Sequence, residues 1–180
     1  SCFSVRCYWC LAFFGATVVG ERHWEPAAAG NAWAIGGALI ISSGLIWGMF
    51  SDRMGWRRTI SLAFGVQTLS YLAMALVPWD GAVYASVVLW GITAWAIPGL
   101  AAAVATEYVG ARMVHPAMAL VTLVGAAGQM SGPVVTGYAV DLTRSFVPGL
   151  VLAATVALLG AATARTLTEE SGGRRPESPP

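Results

Sequence analysis

Two long uncharged runs, separated by one short polar stretch, constrain this chain more than any other feature. Ala32 to Phe50 carries no charge over 19 residues, and Thr59 to Trp79 carries none over 21. A bilayer core about 30 Å thick is crossed by roughly 20 apolar residues of helix. Inside hydrocarbon every backbone N–H and C=O must be bonded within its own segment, so such runs are helices. Between them lies Ser51-Asp52-Arg53-Met54-Gly55-Trp56-Arg57-Arg58. A connection of about eight residues returns the chain to the same membrane face, and its three arginines place that face in the cytoplasm.

Composition agrees with a polytopic membrane protein rather than a soluble core. Hydrophobic residues make up 57% and charged residues 11%, against about 25% charged in soluble domains. All ten basic residues are arginine, and they sit in the polar stretches, marking loops rather than a nucleic-acid surface.

Five spans are expected, at about residues 32–50, 58–77, 82–108, 114–140 and 146–166. Residues 1–20 are apolar only from Cys7 to Gly20 and read as a truncated or degenerate first helix; a secretory signal is the rival reading. Pro78-Trp79-Asp80-Gly81 is a tight turn with Trp79 as an interfacial anchor. Pro98 is expected to kink the 82–108 span, because its ring lacks a donor and clashes one turn back. Gly44 with Gly48, and Gly128 with Gly132 beside Pro133, leave thin surfaces for neighbouring helices. The 168–180 tail, rich in Glu, Gly, Arg, Ser and Pro, is expected to be disordered.

The stretch Gly48-x-x-x-Asp52-Arg53-x-Gly55-x-Arg57-Arg58 resembles the cytoplasmic signature of the major facilitator superfamily (MFS), with Trp56 inserted before the basic pair. In that superfamily the signature joins the second and third helices of a six-helix half. The resemblance implies an all-α, six-transmembrane-helix bundle, one half of an MFS fold, over residues 1–167. It implies a permease that moves a small solute across the cell inner membrane by alternating access, as part of a twelve-helix protein whose N-terminal six-helix half is missing here. Span 82–108 carries no arginine where many N-terminal halves have one, which favours the C-terminal half. Asn31-x-Trp33, Trp47-Gly48, Trp90-Gly91, and Gly128-Gln129 with Gly132-Pro133 resemble YbfB-type permeases, a largely uncharacterised branch. By the same resemblance Gly48, Asp52, Arg53, Gly55, Arg57, Arg58, Glu107 and Arg112 form a gating cluster. There Asp52 accepts from Arg53 and from Arg57 or Arg58.

With the signature inside, Arg6, Arg53, Arg57, Arg58, Arg112, Arg165, Arg174 and Arg175 are cytoplasmic, and Arg22 and Arg144 are external. This bias gives a cytoplasmic C-terminus. No charged residue lies in the middle of the spans, so no protonation switch is evident. The spans offer neutral polar groups, of which Gln129, Trp95 and Gln67 are the candidate substrate-lining residues; each could equally serve helix packing.

Other functions find less support. Gly128-x-x-Ser131-Gly132 has the wrong spacing for an intramembrane serine protease, and Asp52, Asp80 and Asp141 do not cluster as a phospholipid synthase requires. Cys7-x-x-Cys10 has no second pair, so neither metal nor cofactor is implied. The alternative to a permease is a truncated, non-transporting remnant or membrane scaffold. The partners implied are a small-molecule substrate, the lipid bilayer and the missing half, with no nucleic acid.

Overall fold

The computed structural model describes residues 16–166, apart from the side chains at positions 16, 17, 21, 107, 108, 111, 125, 129 and 133. A π-helical turn, Ala16–Glu21, leads into α1 (Pro26–Met54), α2 (Trp56–Leu76), α3 (Asp80–Thr93), α4 (Ala96–Thr143) and α5 (Val147–Thr166). No strand occurs among the described residues. Among the described residues five helical stretches are long and apolar enough to cross a membrane: Pro26–Met54, Trp56–Leu76, Asp80–Thr106, Arg112–Thr143 and Val147–Thr166. The expected first helix and the expected disordered tail lie largely outside the described residues.

α2 is the central helix. It packs most extensively on α5, then on α3, while α1 lies against α3. Its buried face mixes small and polar residues, among them Ser61, Ala63 and Ser70, with the larger Trp56, Phe64, Tyr71 and Met74; the small ones let backbones approach closely. Ser70 Oγ donates to the Ser86 carbonyl at 2.8 Å, and Ser86 Oγ donates to the Ser70 carbonyl at 2.8 Å, both groups buried. Gly160 of α5 receives the Phe64 ring; a Cβ there would lie 3.2 Å from it.

The close helix approach expected at Gly44 is made about two turns earlier, at Gly36. A Cβ on Gly91 would stand 2.8 Å from the Gly36 carbonyl oxygen, so α1 and α3 meet backbone to backbone at Gly36 and Gly91. Gly44 and Gly48 have nothing within 4 Å of an added Cβ. Trp33 stacks on Trp90 beside the Gly36–Gly91 crossing, with ring centroids 5.2 Å apart.

Helix boundaries depart from the sequence expectation in two informative places. The polar stretch after Phe50 is not an eight-residue loop: α1 runs on to Met54, and Gly55 alone separates it from α2. Gly55 has φ 81° and ψ 152°, a conformation in which a Cβ is strained, and its N–H closes α1 on the Ser51 carbonyl. The second glycine of the signature is therefore the whole turn. The kink assigned to Pro98 is a break at Ala94 and Trp95, between α3 and α4. Pro98 has no N–H for the Ala94 carbonyl four residues back, and its ring collides with that carbonyl. A second interruption falls at Gly110 (φ 72°, ψ 165°), which divides α4 into its two arms. The Arg112–Thr143 arm leaves most of its side chains exposed, Leu123, Met130 and Val134 among them.

Candidate functional site

At one end of the bundle Arg22 reaches the last turn of α2: its Nη2 donates to the carbonyls of Met74 (3.0 Å) and Val77 (2.6 Å), and its Nη1 to that of Trp79 (3.3 Å). The Met74 and Val77 carbonyls stand at the C-terminal end of α2, where a cation is favoured, while the Trp79 carbonyl also accepts from the Ala82 N–H. Trp24 Nε1 donates to Asp80 Oδ1 at 2.8 Å on the same end. Arg22 and the Pro78–Gly81 turn thus share a face. Sequence reasoning counted Arg22 only as a loop charge; its position two residues before Trp24 carried no signal of this clamp.

At the other end, Arg57 Nη2 donates to the Arg165 carbonyl, and Arg165 Nε donates to Ser61 Oγ at 3.0 Å. Ser61 Oγ in turn donates to the Ala161 carbonyl. This ties the start of α2 to the end of α5. Asp52 and Arg53 are exposed on the last turn of α1, and neither forms a hydrogen bond or ion pair among the described residues. Arg58 and Arg112 are likewise exposed and unbonded. The pairing expected of Asp52 with Arg53, Arg57 or Arg58 is absent there. The single-residue turn at Gly55 directs Arg57 toward α5, while Asp52 stays on α1. The Glu107 side chain lies outside the described residues.

The lining candidates fall in three different settings. Gln67 is fully buried in α2, and neither its Oε1 nor its Nε2 has a hydrogen-bond partner. It sits one turn from Phe64, which meets α5, and one turn from Ser70, which meets α3. Trp95 is 53% exposed at the α3–α4 break, and its backbone N–H, released by the break, donates to Ser43 Oγ at 3.2 Å. The Gln129 side chain lies outside the described residues, as does that of Pro133; Gly132 is buried. Three further orphan groups were not anticipated: Arg57 Nε, Trp90 Nε1 and, on α4, Thr136 Oγ1, a residue only 3% exposed. Burial decides these cases, and an apolar-looking helix sequence does not announce it. Among the described residues no group of His, Cys, Asp and Glu is arranged to hold a metal.

A bundle of apolar helices long enough to cross a membrane, with arginines at its ends, defines a polytopic membrane protein. The chain belongs to the Major Facilitator Superfamily, whose family model matches residues 1–180. Members of that family are transporters rather than enzymes. No curated protein and no solved structure matches the chain.

Proposed function

We propose that this chain is one six-helix half, the C-terminal one, of a twelve-helix permease of the cell inner membrane. It moves a small solute by alternating access, with the C-terminus cytoplasmic. The YbfB-type resemblance is the branch assignment that goes with this reading. The observation that carries it is Gln67. A buried amide with neither atom bonded costs about 1–3 kcal/mol for each unsatisfied group. Gln67 is fully covered in this conformation, so a ligand, or a helix of the complementary half, supplies the bond when α2 parts from its neighbours during alternating access. The absence of charge in the spans suits a neutral or weakly polar solute, recognised by hydrogen bonds rather than by ion pairing. Asp52, exposed at the end of α1, is then free to pair with cations across the inner gate.

Uptake by proteoliposomes is the test, run over a panel of neutral solutes. The chain alone is expected to give none. The chain co-expressed with a complementary six-helix half is expected to give saturable uptake that Gln67→Ala abolishes. Saturable transport by the monomeric chain alone would overturn the half-transporter reading. Absence of uptake in both arms would favour the remnant.

A further inference from the structure

A cavity of about 860 Å³ opens at the Arg57 end of the bundle, lined by Met54, Gly55, Arg57, Arg58, Leu62 and Arg165. Three guanidinium groups share this wall, and no carboxylate is among the described lining residues. Like charges gathered around one hollow repel each other unless an anion stands between them. Three details point to such an anion. Arg57 Nε is buried and has no partner, although its Nη2 is anchored on the Arg165 carbonyl. Arg58 makes no bond among the described residues. The cavity also lies against the first turn of α2, a helix of 21 residues whose N-cap, Gly55, offers no side chain to the free N–H groups. Those groups and the helix dipole add partial positive charge to the guanidinium groups. The remaining wall is apolar: Leu62 is 45% exposed, and Met54 is partly so.

We propose that this cavity binds a phosphate group, held by Arg57, Arg58, Arg165 and the α2 N-terminus. The combination of a cationic pocket with Leu62 and Met54 fits the headgroup of an anionic phospholipid, its phosphate on the arginines and its glycerol and upper acyl carbons on the apolar side. The pocket stands at the border of the apolar run that begins at Thr59, the depth at which a headgroup meets hydrocarbon. Guanidinium presents paired donors to phosphate oxygens, a match that an ammonium group does not make. The site does not depend on which half of a permease the chain represents.

The test uses the full chain, with Glu169 and Glu170 of its tail in place, in a neutral detergent that has no surface potential of its own. Native mass spectrometry follows titration with phosphatidylglycerol, with phosphatidylcholine and with inorganic phosphate. Phosphatidylglycerol is expected to bind saturably, at one per chain, and phosphatidylcholine at least tenfold more weakly. Arg58→Gln is expected to weaken phosphatidylglycerol about tenfold. That side chain anchors nothing in the fold, so the variant folds as the parent does. Arg53→Gln, on the same end but outside the cavity, is expected to change binding less than twofold. Saturable binding of inorganic phosphate at comparable concentration, lost in Arg58→Gln, would support the phosphate site with a soluble rather than a lipid source. Equal effects of Arg53→Gln and Arg58→Gln, or no preference for phosphatidylglycerol, whose headgroup is net anionic, over phosphatidylcholine, whose choline cation the arginines repel, would overturn the proposal.

Discussion

Replacing Gln67 by Met separates the cost of the buried amide from its use. The two side chains have nearly the same length and flexibility, and Met fills irregular core space without strain. Gln67 is completely buried with both polar atoms unbonded. Removing the amide relieves one donor group and one acceptor, each about 1–3 kcal/mol in mutational series. Packing changes between side chains of like volume cost under about 1.5 kcal/mol. The balance is a gain of roughly 0.5 to 6 kcal/mol in stability for the chain itself. Thermal unfolding of the purified chain in detergent, followed by size-exclusion of the surviving folded fraction, reads this directly. The same substitution in an assembled transporter is expected to abolish solute-induced stabilisation and uptake. A loss of stability greater than about 1 kcal/mol in the isolated chain would refute the reasoning, since it would mean the amide is bonded within this bundle.

Four other outcomes follow from the geometry. Gly91→Ala, whose new methyl must displace the Gly36 backbone, is expected to destabilise the chain by about 1–3 kcal/mol. Gly44→Ala, facing open space, should gain up to about 1 kcal/mol of helix propensity; thermal unfolding of the two side by side checks the contrast. Arg22→Gln removes the clamp on the end of α2 and should cost about 1–2 kcal/mol, discounted for its partial exposure, together with faster proteolysis at the 77–81 turn. Asp52→Asn, exposed and unbonded, should leave thermal stability unchanged while slowing turnover in the complete transporter; an unchanged rate at normal protein level removes the gate role. A single cysteine at exposed Pro78, in a thiol-free background, is expected to react with an impermeant reagent from outside intact cells, and labelling only after lysis would reverse the topology. Pro78 serves better than Gly81, where a Cβ would stand 2.6 Å from the Trp79 ring.

The spans were legible because the bilayer imposes a length, and uncharged runs of that length have few other uses. The signature was legible because Gly55 must turn the chain with a positive φ. The partnership of glycines was not. Gly36, Gly37, Gly44 and Gly48 all lie on α1, and only the path of α3 decides that Gly36 is covered while Gly44 is open. Nor could the sequence show that Arg57 would choose the Arg165 carbonyl over Asp52. That choice depends on the one-residue turn at Gly55, which an apparent eight-residue loop concealed. Gln67 stood out by type alone; its isolation is a property of packing.

The reciprocal pair of Ser70 and Ser86 has a mechanical meaning. Each hydroxyl bonds the other helix's carbonyl, and the two hydroxyl oxygens stand 3.1 Å apart. Sliding α3 along α2 by one residue, about 1.5 Å with a turn of about 100°, breaks both bonds and leaves two hydroxyls without these partners in apolar surroundings. The two helices therefore travel as one beam. Any rearrangement of the bundle must flex where the backbone already yields: at Ala94 and Trp95, where α3 hands over to α4, and at Gly110, between the arms of α4. Those two joints frame the 96–109 segment, which can swivel while the serine-pinned beam stays rigid.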